Sequence, residues 1–153
     1  MIVTRIAQNQ YIRLLDGMGS FLYGGRWSSK GTFAIYTAEF TSLAYLEYLV
    51  HQFERNTWPK NLAISKLEIS DSMITTISKE QLPANWQSIL YLSETQFIGD
   101  RYFKEGELAI KVPSVIVDGE FNVVLNPEHN EFSSAVKRLE VNLLALDKRF
   151  KSS

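Results

Sequence analysis

The chain has 153 residues, with sixteen Lys and Arg against seventeen Asp and Glu, and no cysteine. The near-balance of charge leaves no basic excess for direct nucleic-acid binding or for an anionic membrane surface. The lack of cysteine excludes disulfides, thiolate metal sites and thiol catalysis, and fits a reducing cytoplasm.

From its length the chain is expected to form one domain, residues 1–153, with a core large enough to hold a pocket. Met1–Asp16 has no apolar run and carries Arg5 and Arg13, so neither a signal peptide nor a membrane-spanning helix is expected there. Asp16-Gly17-Met18-Gly19-Ser20 reads as a flexible loop, followed at once by the pair Gly24-Gly25. Phe33–Thr37 reads as a short strand, with Phe33 and Ile35 on one face and Tyr36 on the other. Thr41 or Ser42 is the expected N-cap of a helix. Leu43, Leu46, Leu49, Val50 and Phe53 recur there at helical spacing, and Asn56, Pro59 and Asn61 mark its end.

Leu62–Ile69 and Met73–Ile77 read as strands, and Pro83-Ala84-Asn85-Trp86 as a turn. Ile89–Phe103 has a helical pattern interrupted by Gly99. Glu107–Val117 is strand-like and broken at Pro113. Asn122–Leu125 is another strand, and Lys137–Leu143 alternates apolar and polar residues as a half-exposed strand does. Strands outnumber helices without a regular βαβ order, which predicts an α+β fold with a largely antiparallel or mixed sheet.

Four residues stand out chemically. Arg26 lies between Gly24-Gly25 and Trp27, where glycines permit close backbone approach. Its planar guanidinium suits a phosphate or carboxylate, but an Arg–Trp stack on a surface loop fits equally. Glu47, twenty-one residues on, falls at the edge of the helix's apolar stripe. A carboxylate there is used chemically, reaches solvent, or pairs with Arg26. Tyr36 can stack on a flat heteroaromatic ring or be a half-buried sheet tyrosine. Ser114, after Pro113, lacks a nucleophile elbow. It suits a hydrogen bond to a ligand or a satisfied core hydroxyl.

Gly17-Met18-Gly19 opens like a dinucleotide fingerprint, but Leu22 stands at the third glycine position and no strand is read before it. Glu47 and His51 could share a metal, yet a site needs three or four ligands and no others cluster nearby, so no metal is expected.

The order of these residues resembles the RES family, named after its arginine, glutamate and serine. The resemblance runs over about 125 residues. It rests on Arg5, the run Gly24-Gly25-Arg26-Trp27-Ser28-Ser29-Lys30-Gly31, Tyr36-Thr37, Ala44 through His51, Leu82 through Trp86, Val112-Pro113-Ser114, and Asn122 through His129. Ser28 stands where the family usually has asparagine, and Asp147 through Phe150 departs slightly from its usual close.

Members are small bacterial toxins that destroy or use NAD and are usually encoded beside an Xre-like antitoxin. The resemblance implies an ADP-ribosyltransferase-like fold, a split mixed β core with helices around an NAD cleft. It implies Arg5 and Arg26 on the NAD phosphates and ribose, Tyr36 stacked on nicotinamide, and Glu47 at the nicotinamide ribose. Ser114 would bond the ribose or nicotinamide side, so that Glu47, Arg26 and Ser114 form the catalytic set.

The implied activity is cleavage of the nicotinamide N-glycosidic bond by hydrolysis or phosphorolysis, with NAD as substrate and no metal. This would lower cellular NAD and arrest growth. ADP-ribosyl transfer to a protein is the alternative, and a non-catalytic antitoxin-binding module is the alternative of another class. The implied setting is cytoplasmic, with an Xre-like antitoxin as partner and homodimerisation inside that complex an open option.

Overall fold

A computed structural model of the chain describes residues 1–54, 60–90 and 93–150. Seven strands form one sheet: β1 (Ile2–Gln8), β2 (Ile35–Ala38), β3 (Leu62–Ile69), β4 (Ile74–Thr76), β5 (Ala109–Pro113), β6 (Phe121–Leu125) and β7 (Val136–Leu144). Their spatial order is β4-β5-β6-β2-β1-β3-β7. β4 runs parallel to β5, and every other neighbouring pair is antiparallel. The sheet is therefore mixed and mostly antiparallel, as the irregular element order predicted.

The helices are α1 (Asn9–Ile12), α2 (Met18–Tyr23), α3 (Thr41–Glu54), α4 (Ser93–Lys104) and α5 (Phe132–Ala135). α3 and β3 fall where periodicity placed them. β1 was not anticipated, yet it pairs with β3 along its whole length and with β2 at Thr4 opposite Ala38. The expected loop at Asp16–Ser20 instead runs into α2. Gly17, at φ 69°, supplies the left-handed residue before that helix, and its absent Cβ would lie 2.6 Å from the Ala34 nitrogen. β2 begins two residues later than read from sequence, because Phe33 leaves the ladder and stacks on Phe21 at 4.4 Å.

α3 also starts earlier than the cap expected at Thr41 or Ser42. The Phe40 carbonyl accepts the bond from Ala44 N–H, and the Thr41 hydroxyl bonds that of Thr4. Residues 55–59, which include part of the expected helix end, and 91–92, at the start of the expected second helix, lie outside the described residues, as does the Phe53 side chain.

Gly99 does not break α4. Its missing side chain admits the Trp27 carbonyl, whose oxygen would be 1.8 Å from a Cβ there.

Alternation along the strands divides the core. Val3, Ile35, Leu67, Val123, Leu125, Phe132 and Val136 pack together on one face. Trp27, Trp86, Phe103, Ile110, Val112 and Val124 pack on the other, with Tyr36 against them. Ile35 and Tyr36 thus point opposite ways, as the period of two requires. Ala38, Leu43 and Ala44 make a further cluster beneath α3, with Val117 packed against it. Burial of these apolar side chains is the main force holding helices to the sheet.

Candidate active site

The Gly-Gly-Arg-Trp run is a tight loop stapled from three sides. Gly25 N–H donates to the Ser28 carbonyl at 2.8 Å, closing the turn. Gly24 sits at φ 71°, where a side chain would be strained. A Cβ on Gly25 would lie 2.5 Å from the Tyr36 hydroxyl, so the second glycine exists to let that tyrosine in.

The Tyr36 oxygen accepts from Trp27 N–H at 3.0 Å and bonds Ser28 Oγ at 2.8 Å. Ser28 Oγ bonds Ser20 Oγ at 2.6 Å, and Ser20 donates to the Thr32 carbonyl at 3.1 Å. A hydroxyl has one proton to give. Because Ser20 spends its proton on the carbonyl, the direction runs from Tyr36 to Ser28 to Ser20 to Thr32. Ser28, at the position where the resembled pattern has asparagine, is 0% exposed and belongs to this relay.

α4 holds the loop from another side with residues spaced i, i+3 and i+4. Gln96 donates to the Gly25 carbonyl at 2.9 Å, Gly99 receives the Trp27 backbone, and Asp100 accepts from Ser29 N–H at 3.2 Å and from the Ser29 hydroxyl. Arg26 forms the third attachment. Its Nη1 donates to the Trp86 carbonyl at 2.6 Å and its Nη2 to that of Ser88 at 2.9 Å. The rings of Trp27 and Trp86 lie 6.3 Å apart, tilted against each other. Arg26 is half-buried and structurally engaged, which its glycine-flanked setting did not suggest.

Glu47 is also half-buried. At 100° per residue it points between Leu43 and Ala44, both buried, while Leu46 and Val50 are exposed. It therefore lies within the covered face of α3 and not at its edge. Its Oε1 accepts from Asn122 Nδ2 at 2.6 Å and from Ser114 Oγ at 3.2 Å. Among the described residues its bonds come from these two groups and not from Arg26.

Ser114 is 2% exposed and fully engaged. Besides donating to Glu47, its oxygen accepts from Ile116 N–H at 3.0 Å and Val117 N–H at 3.1 Å. Its single proton goes to Glu47, so its role here is to orient the carboxylate.

The sheet register gathers these groups. Ala38 pairs with Asn122 and Tyr36 with Val124, so Tyr36 and Asn122 share one face of adjacent strands. Arg5 is placed elsewhere. It alternates with Thr4, which meets α3, and its Nη1 donates to the carbonyls of Tyr11, Ile12 and Leu14 at 3.3, 3.2 and 2.7 Å. Burial holds its pKa below the ordinary arginine value, with Asp16 pulling it up and Arg138 pulling it down. Tyr36, Glu47 and Ser114 thus share one side of the sheet, with Arg26 on the loop that Tyr36 pins, whereas Arg5 fastens the turn after α1.

Asn122, Gln96 and Asp100 were not singled out chemically from sequence. For Asn122 a signal existed: a carboxamide inside an apolar strand, where asparagine is disfavoured. Among the described residues no group of three or more His, Asp or Glu could hold a metal ion, and no helix is long and apolar enough to cross a membrane.

The mixed sheet and flanking helices form the α+β architecture that the resemblance implied. The fold is similar to one chain of the M. tuberculosis MbcT–MbcA toxin–antitoxin complex, with TM-score 0.74 and 15% identity over 94% of this chain and 83% of that one. The RES domain model matches residues 2–147, so the chain belongs to the RES family.

Its relatives include a protein named Toxin Res from Yersinia enterocolitica, 36% identical over 99% of this chain and 100% of that one. Another Toxin Res, from Photorhabdus laumondii, is 33% identical over 94% of each chain. A protein of Sphingobium named Prs ADP-ribosylating toxin is 29% identical over 88% of this chain and 85% of its own length.

Proposed function

We propose that this RES-family chain is the toxin of a bacterial toxin–antitoxin pair and that it cleaves the nicotinamide N-glycosidic bond of NAD. The observation that carries this reading is Glu47: a half-buried carboxylate, oriented by Ser114 and Asn122, on the sheet face that also presents Tyr36. Both donors meet Oε1, and among the described residues none meets Oε2, which leaves that oxygen for a ligand hydroxyl.

The chemistry suits such a carboxylate. The bond from ribose C1′ to the pyridinium nitrogen breaks and its electron pair leaves with nicotinamide, so positive charge develops on the ribose. A fixed negative charge stabilises that transition state more than the ground state. Glu47 performs this task through Oε2 at the ribose hydroxyls. Tyr36 offers an aromatic face to the cationic ring, as an aromatic quadrupole favours. The Arg26 loop supplies positive charge for the pyrophosphate, whereas Arg5, on the opposite face of the sheet, is given no part in binding it. An oxygen nucleophile then bonds to C1′, and its proton passes to solvent.

The nucleophile is water or inorganic phosphate. A protein side chain is the second reading, favoured by the Sphingobium relative named as an ADP-ribosylating toxin. An Xre-like antitoxin is the proposed partner, consistent with a solved relative that was crystallised as a toxin–antitoxin complex. A cytoplasmic setting and a single domain over residues 1–153 belong to the same proposal.

The test is to incubate the purified chain with NAD in phosphate-containing and phosphate-free buffer, each with and without soluble bacterial protein, and to separate the products. Nicotinamide with free ADP-ribose denotes hydrolysis, a phosphorylated ADP-ribose denotes phosphorolysis, and labelled protein denotes transfer. No nicotinamide release under any of the four conditions overturns the proposal.

A further inference from the structure

We propose that Asn122 is a positioning residue for catalysis, holding the Glu47 carboxylate in its working plane. The inference rests on the reading of Glu47 given above and deepens it.

Asn122 lies on β6, which is hydrogen-bonded to β2 on one side and β5 on the other, so its backbone is among the most constrained in the sheet. Its row neighbours are Ala38 and Val112, both buried and apolar. A carboxamide in such a row costs free energy unless its polar atoms are paired. The pairing found is a 2.6 Å bond from Nδ2 to Glu47 Oε1. A carboxylate only accepts, so the amide must present its nitrogen and not its oxygen.

Ser114 approaches the same oxygen from the end of β5. One donor alone would leave the carboxyl group free to swing about that bond. Two donors from different strands, converging on Oε1, set the plane of the carboxylate and the direction in which Oε2 points. The two donors differ in what else they do. Ser114 also secures the backbone of Ile116 and Val117, so its removal disturbs a turn. Asn122 makes no other side-chain bond among the described residues, so its removal addresses Glu47 itself.

The experiment compares full-length Asn122→Ala and Asn122→Asp with the parent chain by nicotinamide release and by thermal melting. Asn122→Asp keeps the shape but replaces the donor with a like charge. Both variants are expected to lose about 100-fold in kcat, the scale of a misplaced catalytic group, with little change in KM and a retained cooperative melt.

Turnover within a few-fold of the parent in both variants overturns the proposal. So does a parallel loss of kcat and NAD affinity, or the failure of both variants to fold, since each makes Asn122 part of the scaffold. If the parent chain itself releases no nicotinamide with any acceptor, the proposed function fails, and this inference with it. A working parent with indifferent variants removes Asn122 alone.

Discussion

Glu47 binds neutral donors, not a cation, and that decides what its replacement should do. Removing one partner of a buried ion pair costs about 3–5 kcal/mol. Glu47→Gln removes no such pair, because Asn122 and Ser114 can still donate to the amide oxygen. Its melting temperature should therefore hold or rise while NAD turnover falls about 10²–10³-fold, the scale of a lost transition-state charge contact. Melting and nicotinamide release measured on the same preparation check this.

Tyr36→Phe should behave in the opposite way at the level of stability. It strips the acceptor from Trp27 N–H and breaks the relay to Ser28, costing about 1–3 kcal/mol in chemical denaturation. Arg26→Ala loses two charge-assisted bonds to the Trp86 and Ser88 carbonyls. It should lower stability by about 1.5–3 kcal/mol as well as weakening NAD binding. An unchanged melting temperature together with unchanged NAD affinity would remove Arg26 from both roles.

The contact between α4 and the Gly24–Gly31 loop is the element-scale feature on which the candidate site depends. Gln96, Gly99 and Asp100 present one helix face, and the Trp27 carbonyl enters where a side chain would stand. Gly99→Ala should force the two elements apart, costing about 1–3 kcal/mol or more, because packed backbone cannot yield by over an ångström. Calorimetric melting and the near-ultraviolet circular dichroism of Trp27 and Trp86 report the displacement. Gly19→Ala is the matched control. It lies in α2 with nothing within 4 Å of the added methyl, and should stabilise by about 0.5–1 kcal/mol through helix propensity. Equal effects of the two substitutions would deny that the close approach at Gly99 matters.

At the scale of the whole molecule, the sheet carries two packed faces with different tasks. One face is largely apolar, and on it the Arg5 guanidinium anchors the turn after α1. The other combines an aromatic-rich core with the Glu47, Ser114 and Asn122 cluster. The chain has no cysteine and two histidines, and no three-residue cluster of metal-ligand type occurs among the described residues. NAD turnover should therefore be the same with and without a chelator. Loss of activity on chelation, restored by a divalent ion, would contradict the mechanism. Expressed without the proposed antitoxin, the chain should arrest bacterial growth, and the Glu47→Gln form should not. Harmless expression of an active chain would separate the enzymatic proposal from the toxic one.

The sequence by itself determined what local chemistry decides. Helical spacing from Leu43 marked α3, the run Leu62–Ile69 marked β3, and alternation after Val136 marked β7, because period and propensity act over a few residues. It also supplied the order of Arg26, Glu47 and Ser114 that pointed to the RES family. It did not reveal β1, whose place between β2 and β3 is set by residues more than thirty positions away. Nor did it reveal why the loop carries two glycines, since Gly25 yields to a tyrosine on β2 and Gly24 to its own backbone angle. The partners of the polar tips were equally hidden. Arg26 meets carbonyls sixty residues on, and Glu47 meets Asn122 seventy-five residues on. Such pairings depend on sheet order, and sheet order follows from burying all the apolar faces at once. A charged tip then bonds to whatever donor or acceptor the packed backbone brings within reach, and only the tertiary structure decides which one that is.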